Sequence, residues 1–171
     1  IVALNLATTS PLLVTDTNKI ILSGYKHNEK LHAECYILES SDGRNWSYPR
    51  LVLKNSRISL SEPSLVEYRD RLILVARSDN DHLNMQSIES FDDGENWINV
   101  KDLGFPGQSP YLFNIGDSIL LLAQRNPLTS VRISKGKSTQ FSEPYVVDYD
   151  YGAYGAYPSI THVQGEKFLI S

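Results

Sequence analysis

The chain is short of several residue types, and each shortage excludes something. It has a single cysteine among 171 residues, so it forms no internal disulfide bond. The net charge is −4 at pH 7 and no basic stripe occurs, which argues against a nucleic-acid partner. No apolar run approaches the roughly 20 residues that a membrane-spanning helix needs, so we expect no membrane span. The one thiol, Cys35, lies in a predicted strand and is expected to be a small buried hydrophobic residue.

Sustained apolar recurrence at the helical period of 3.6 residues is also missing. Runs of four to eight residues rich in Ile, Leu, Val, Tyr and Phe instead alternate with turns rich in Gly, Asn, Asp and Ser. Hydrophobic residues make up 41% of the chain, which is enough for a packed core. The sequence therefore predicts an all-β fold with little or no helix.

A short polar turn motif occurs twice and then a third time in degraded form. Its copies are S-S-D-G-R-N-W at Ser40–Trp46, S-F-D-D-G-E-N-W at Ser90–Trp97, and S-K-G-K-S-T-Q-F at Ser134–Phe141. In such a turn the Asp side chain binds backbone N–H groups, the Gly takes a positive φ, and the aromatic residue packs back between strands. These turns are expected to be scaffold at the periphery of the fold, away from any ligand.

A second landmark repeats in the same phase. Pro11, Pro63, Pro110 and Pro158 each open an apolar run, and they lie 52, 47 and 48 residues apart. Each complete unit contains four apolar runs, two before the polar turn region and two that flank the turn. Four antiparallel strands repeating every 40–50 residues are typical of a β-propeller blade.

The sequence thus predicts about three four-stranded antiparallel blades plus the start of another. We expect the blades at roughly residues 8–58, 59–106, 107–150 and 151–171, the last one incomplete. Most propellers close with roughly four to eight blades. Further blades are therefore expected before Ile1, and some beyond Ser171.

Four residues of the predicted inner and second strands could form a site over the central channel. Glu62 and Tyr157 each precede the proline of an inner strand, whereas Arg77 and Arg125 end second strands in adjacent units. Two converging guanidinium groups favour a carboxylate ligand, which accepts two parallel N–H bonds from one arginine. A tyrosine, with a pKa of about 10, becomes a nucleophile only when a base such as a nearby glutamate removes its proton.

Each of these assignments has an alternative. Arg77 and Arg125 could be strand-end residues that face water or pair with acidic residues, for which the candidates are Asp79, Asp102 and Glu143. Arg132 competes with Arg125, although the repeat register favours Arg125. Tyr157 competes with two other tyrosines of an aromatic-rich run, Tyr151 and Tyr154.

The chain resembles the sialidase (neuraminidase) superfamily of Asp-box propellers over almost its whole length. The segments that carry the resemblance are Ser61–Tyr68, Asp70–Arg77, Arg125–Ser134 and Ala156–Ile160, in the order Glu, Arg, Arg, Tyr that the family shows. The resemblance implies the C-terminal portion of a six-bladed propeller, with no cofactor and no metal. It favours a secreted, periplasmic or cell-surface location.

The resemblance also implies a function and roles for the four residues. Arg77 and Arg125 would clamp the carboxylate of sialic acid, while Tyr157 would attack the anomeric carbon with Glu62 as its base. The expected partner is a sialylated or other glycan substrate. In the family, a first arginine and an aspartate acid/base lie on more N-terminal blades, so these 171 residues are not expected to form a complete site. The alternatives are a non-catalytic propeller module that binds glycan or protein, and a hydrolase acting on another sugar.

Overall fold

A computed structural model describes residues 5–80, 82–137, 139–149, 157–165 and 167–171 of the chain. Every regular element within those residues is a β-strand. Among them there is no helix, and hence none of the length and apolarity that crossing a membrane requires. The prediction of an all-β fold is confirmed.

The strands form three four-stranded antiparallel sheets and a two-stranded piece of a fourth. The first sheet contains β1 (Leu13–Val14), β2 (Ile20–His27), β3 (Ala33–Ser40) and β4 (Arg50–Leu53). The second contains β5 (Leu60–Tyr68), β6 (Arg71–Ser78), β7 (Gln86–Ser90) and β8 (Ile98–Asp102). The third contains β9 (Gln108–Ile115), β10 (Ile119–Arg125), β11 (Thr129–Lys135) and β12 (Tyr145–Asp148), and the last pairs β13 (Ile160–Gln164) with β14 (Lys167–Ile170).

Strands that follow one another in the chain are neighbours in each sheet, which is the meander of a propeller blade. The prediction of about three four-stranded blades and part of another is therefore confirmed. The boundaries drawn between the blades stay a prediction, since residues 150–156, where the third would meet the fourth, lie outside the described residues.

Successive sheets pack against each other through the two faces of their middle strands. In β6, Leu72 and Leu74 join a hydrophobic cluster with the first sheet, whereas Ile73 and Val75 join one with the third sheet. Side chains alternate between the two faces of a strand, so a strand with sheets on both sides must be apolar at nearly every position. This explains the almost continuous apolar run at the second strand of each repeat.

The polar turns between the third and fourth strands have the geometry that their sequence predicts. The carboxylate of Asp42 accepts hydrogen bonds from the backbone N–H groups of Arg44 and Asn45, both at 2.8 Å. Gly43 and Gly94 have φ values of +68° and +86°, a region that a residue with a Cβ rarely adopts. The indole N–H of Trp97 donates to the Gly94 carbonyl at 2.9 Å, and its ring packs against the hydrophobic cluster that contains Leu72 and Leu74.

A cation at the start of each of two second strands ties the turn of the next sheet in place. Lys19 donates from Nζ to the Asp93 carbonyl at 2.8 Å, and Arg71 donates from Nη2 to the Lys137 carbonyl at the same distance. Asp93 and Lys137 occupy the same position of their turns, three residues after Ser90 and Ser134. The degraded third turn therefore keeps its contact with the preceding sheet, because that contact uses a backbone carbonyl.

Candidate active site

The strand pairing places Tyr25, Arg77 and Arg125 at equivalent positions of three successive sheets. Ile20, Leu72 and Leu120 each pair with the serine that opens a polar turn, namely Ser40, Ser90 and Ser134. Counting five residues onward along the same strands gives Tyr25, Arg77 and Arg125. The three side chains therefore start from matching points near the ends of β2, β6 and β10, opposite the polar turns.

Glu62 lies at a β-bulge of β5, where the side chain does not follow the regular alternation between the two faces of the strand. The register between β5 and β6 shifts between Ser61 and Ser64, and Glu62 has a φ of +50°. Such bulges re-aim side chains, and a non-glycine residue with positive φ is strained. Glu62 is only 6% exposed, so its carboxylate requires hydrogen-bonding partners.

Three donors from three different segments meet this carboxylate. The Tyr157 hydroxyl donates to Oε1 at 2.9 Å, and Nη1 of Arg77 donates to the same oxygen at 3.2 Å. The backbone N–H of Ser109 donates to Oε2 at 2.9 Å. The structure thus brings Glu62, Arg77 and Tyr157 into direct contact, although they are 15 to 95 positions apart in the sequence.

The Tyr157 side chain is reachable from solvent while its hydroxyl binds Glu62. It is 49% exposed and lies three residues before β13, not within a strand as the sequence suggested. Burial is the main cause that raises the pKa of Tyr157, followed by the hydrogen bond to Glu62 and the charge of Glu62, while Arg77 acts in the opposite direction. The resting phenol is therefore neutral, and Glu62 is placed to accept its proton.

Arg125 is in register with Arg77 but has a different described partner. Its Nη2 donates to Oε1 of Gln108 at 3.1 Å. Gln108 lies directly opposite Arg125 in the ladder between β9 and β10.

The competing residues lie elsewhere or outside the described residues. Arg132 stacks on the Phe105 ring at 3.8 Å from the centroid and donates to the Ser142 carbonyl at 2.8 Å, and burial lowers the pKa of Arg132. It therefore belongs to the packing between the second and third sheets. The two other tyrosines considered from the sequence, Tyr151 and Tyr154, are not among the described residues.

Two of the three acidic residues considered as partners for the arginines, Asp79 and Asp102, have described side-chain partners of their own. Asp79 accepts hydrogen bonds from the hydroxyls of Ser59 and Ser61. Asp102 accepts one from the side-chain amide of Asn84 at 2.8 Å.

Tyr25 is a member of this neighbourhood that the sequence analysis missed. Burial raises the pKa of Tyr25, and the charges of Glu62 and Asp79 raise it further. A cavity of about 1110 Å³ on the first sheet includes Tyr25 in its wall but none of the four predicted site residues. The repeat register, which aligns Tyr25 with Arg77 and Arg125, is the sequence signal that indicates it.

Within the described ranges no cluster of three or more His, Cys, Asp or Glu side chains could hold a metal ion. The site as described is a chain of proton donors and acceptors. The Tyr157 phenol and the Arg77 guanidinium both donate hydrogen bonds to the same carboxylate oxygen, Oε1 of Glu62. This arrangement can move a proton from the phenol to the carboxylate and can hold an anionic group beside them.

Comparison with known proteins gives a family and a fold. The family described as "BNR repeat-like domain" matches residues 1–170. None of the curated proteins compared with the chain matches it. The intramolecular trans-sialidase of Ruminococcus gnavus, solved with oseltamivir carboxylate, superposes with a TM-score of 0.67 at 13% identity, over 91% of this chain and 63% of that one.

Two further solved structures share the fold. Trypanosoma rangeli sialidase, solved with sialic acid, gives a TM-score of 0.60 at 15% identity, over 98% of this chain and 34% of that one. A glycoside hydrolase family 32 β-fructofuranosidase of Bombyx mori gives a TM-score of 0.57 at 20% identity, over 91% of this chain and 40% of that one. This chain spans less than two thirds of the length of each of the three, and at these identities the similarity shows the fold alone.

Proposed function

The chain belongs to the BNR repeat-like domain family, and from that premise we propose that it is part of an exo-acting sialidase that removes terminal sialic acid from glycoconjugates. The sialidase-like fold is common to the family and to the similar structures, whereas the activity is our proposal. The observation that carries it is the hydrogen bond of 2.9 Å between the Tyr157 hydroxyl and Glu62.

The proposed chemistry uses the contacts of Glu62. The Tyr157 oxygen attacks the anomeric carbon and forms a bond to it, while the bond to the leaving-group oxygen breaks and its electron pair leaves with that oxygen. The phenol proton passes to Glu62. Water then hydrolyses the tyrosyl intermediate, and the two inversions give net retention of configuration.

A neutral nucleophile suits a substrate that carries its own carboxylate. A carboxylate nucleophile would repel that negative charge, whereas a phenol stays neutral until its proton leaves. Arg77 and Arg125, in register on neighbouring sheets, are proposed to hold the substrate carboxylate by paired N–H bonds. This proposal assigns no residue of the chain to protonation of the leaving group.

The test is the substitution Tyr157→Phe in the full-length protein, assayed with a fluorogenic sialoside. It removes the nucleophilic oxygen with little change in volume, so we expect kcat/KM to fall about 100-fold or more. Tyr145→Phe is the matched control, because Tyr145 is an exposed tyrosine of β12 outside the site. Sialoside binding that persists in Tyr157→Phe without hydrolysis would support the assignment.

The alternative is a non-catalytic module that binds glycan or protein. It predicts that no hydrolysis of the sialoside depends on Tyr157, so neither tyrosine substitution changes the rate measured with the parent protein. Activity in Tyr157→Phe equal to that in Tyr145→Phe would refute the nucleophile assignment.

A further inference from the structure

Two serine hydroxyls, one from β2 and one from the segment that precedes β1, converge on the backbone next to Glu62. Ser10 donates from Oγ to the Pro63 carbonyl at 3.0 Å, and Ser23 donates to the same carbonyl at 3.2 Å. The two hydroxyl oxygens are themselves 2.9 Å apart. Ser23 is 1% exposed, so its hydroxyl is a fully buried polar group whose partners lie within the protein.

The carbonyl that they bind belongs to the irregular stretch that carries the candidate base. The register shift between Ser61 and Ser64 leaves Pro63 outside the regular ladder, and Glu62 beside it has the left-handed φ of +50°. A strained backbone of this kind persists only where its surroundings hold it. Without the two hydroxyls, the Pro63 carbonyl would lose both of its described hydrogen bonds.

The third sheet holds the other side of the same stretch. The Ser109 N–H donates to Oε2 of Glu62, and the Leu112 N–H donates to the Ser64 hydroxyl at 2.9 Å. Residues 62–64 therefore form hydrogen bonds on both sides, with Ser10 and Ser23 on one side and with the third sheet on the other. Ser109 shows the same left-handed conformation as Glu62, with a φ of +50°, one residue before the proline of its own strand.

We propose that Ser10 and Ser23 are positioning residues that hold the Glu62 carboxylate against Tyr157 and Arg77 by fixing the Pro63 carbonyl. The catalytic meaning of this inference rests on the proposed function, but the positioning itself does not. A side chain re-aimed by a bulge points correctly only while the bulge keeps its shape, and the two hydroxyls set that shape.

The test compares the double variant Ser10→Ala/Ser23→Ala with the control Ser87→Ala in the full-length protein. Ser87 is a fully buried serine of β7 whose hydroxyl has no hydrogen-bond partner among the described residues. The control therefore removes a buried hydroxyl from the second sheet without touching the Glu62 stretch. Thermal unfolding of each variant reports the purely structural cost.

The deciding readout is the ionisation of Tyr157, followed by NMR on protein labelled with ¹³C at the tyrosine ring carbon that bears the oxygen. Tyr157→Phe assigns the signal. Because Glu62 raises the pKa of Tyr157 through its hydrogen bond and its charge, a displaced Glu62 lowers that pKa toward the ordinary value of about 10. We expect this change in the double variant, an intermediate one in Ser10→Ala, and none in Ser87→Ala.

The inference is overturned if the double variant unfolds at a lower temperature while the Tyr157 titration stays as in the parent, since the serines are then structural only. If the double variant does not fold, Ser10→Ala alone is judged by the same criterion. If the parent protein hydrolyses no sialoside but the double variant shows the expected fall in the pKa of Tyr157, the proposed function is refuted and the positioning role of the serines is supported.

Discussion

Replacing Glu62 by glutamine tests the proposed chemistry at its centre. Glu62→Gln keeps the length and shape of the side chain but removes the negative charge and the proton acceptor. Tyr157 and Arg77 donate to one oxygen and Ser109 to the other. A glutamine has only one acceptor oxygen, so its NH₂ group must face at least one of these donors.

The expected magnitudes follow from those contacts. Loss of a positioned base costs about 10²–10⁴-fold in rate, so we expect kcat on a fluorogenic sialoside to fall within that range. One buried donor left without its partner costs about 1–3 kcal/mol, which is the expected loss in the free energy of unfolding. The pKa of Tyr157 should fall but remain above its ordinary value, because burial, its main cause, is unchanged.

Glu67→Gln is the matched control, since Glu67 lies five residues further along the same strand and accepts a hydrogen bond from the Asp16 N–H. It should leave both the rate and the Tyr157 titration as in the parent. If Glu62→Gln keeps more than about a tenth of the parental kcat, Glu62 is not the base. If the Tyr157 titration is unchanged, the hydrogen bond itself is absent in solution.

Three further outcomes follow from other parts of the structure. Arg71→Ala removes the nearer of two cations beside Glu89, whose side chain is 4% exposed, and leaves Lys101 at 3.5 Å. Chemical denaturation should therefore show a loss below the roughly 3–5 kcal/mol of a fully uncompensated buried charge, and a smaller loss when Glu89→Ala is added. The pKa of Asp42 lies below its usual range because the N–H groups of Asn45 and Arg44 donate hydrogen bonds to its carboxylate. The ionised carboxylate therefore stabilises the folded state at pH values above the ordinary pKa of about 3.9, and this stabilisation is lost as the pH falls through the folded-state pKa. Asp42→Asn should therefore lower the melting temperature at neutral pH, and a deficit that does not narrow in strong acid would contradict this account. Burial raises the pKa of the Cys35 thiol, so iodoacetamide should alkylate it only when the chain unfolds, and rapid alkylation of the native protein would be the contrary result.

The strands and the register of the candidate residues were within reach of the sequence because both follow from local patterns. The apolar runs and polar turns predict the sheets, and the spacing of the repeats places Arg77 and Arg125 at matching strand ends. The contacts of Glu62 were not predictable in this way. They depend on the tertiary packing of the irregular stretch of β5, in which Glu62 contacts Ser109 of the third sheet and Pro63 contacts Ser10 and Ser23.

Tyr157 shows the same division between local pattern and tertiary contact. Its place before a proline, in near register with Glu62, made it a candidate, but the pattern also predicted that it would head a strand. In the structure β13 begins at Ile160, and the backbone N–H and carbonyl groups of Ser159 pair with those of Ser171. Tyr157 lies before this pairing, where its side chain reaches Glu62 over a sequence separation of 95 residues.

The two ends of each sheet differ in how much they depend on side chains. At the polar-turn end, Tyr68 and Arg71 bind the carbonyls of Gly136 and Lys137, and any residue offers such a carbonyl. The third turn can therefore lose its Asp and Trp without losing its contact with the second sheet. At the opposite end, the carboxylate of Glu62 binds Tyr157 and Arg77 through atoms that few other side chains provide. Substitution of a turn residue that contributes only its backbone carbonyl, such as Lys137, should accordingly be tolerated, whereas substitution of Glu62 should abolish the proposed chemistry.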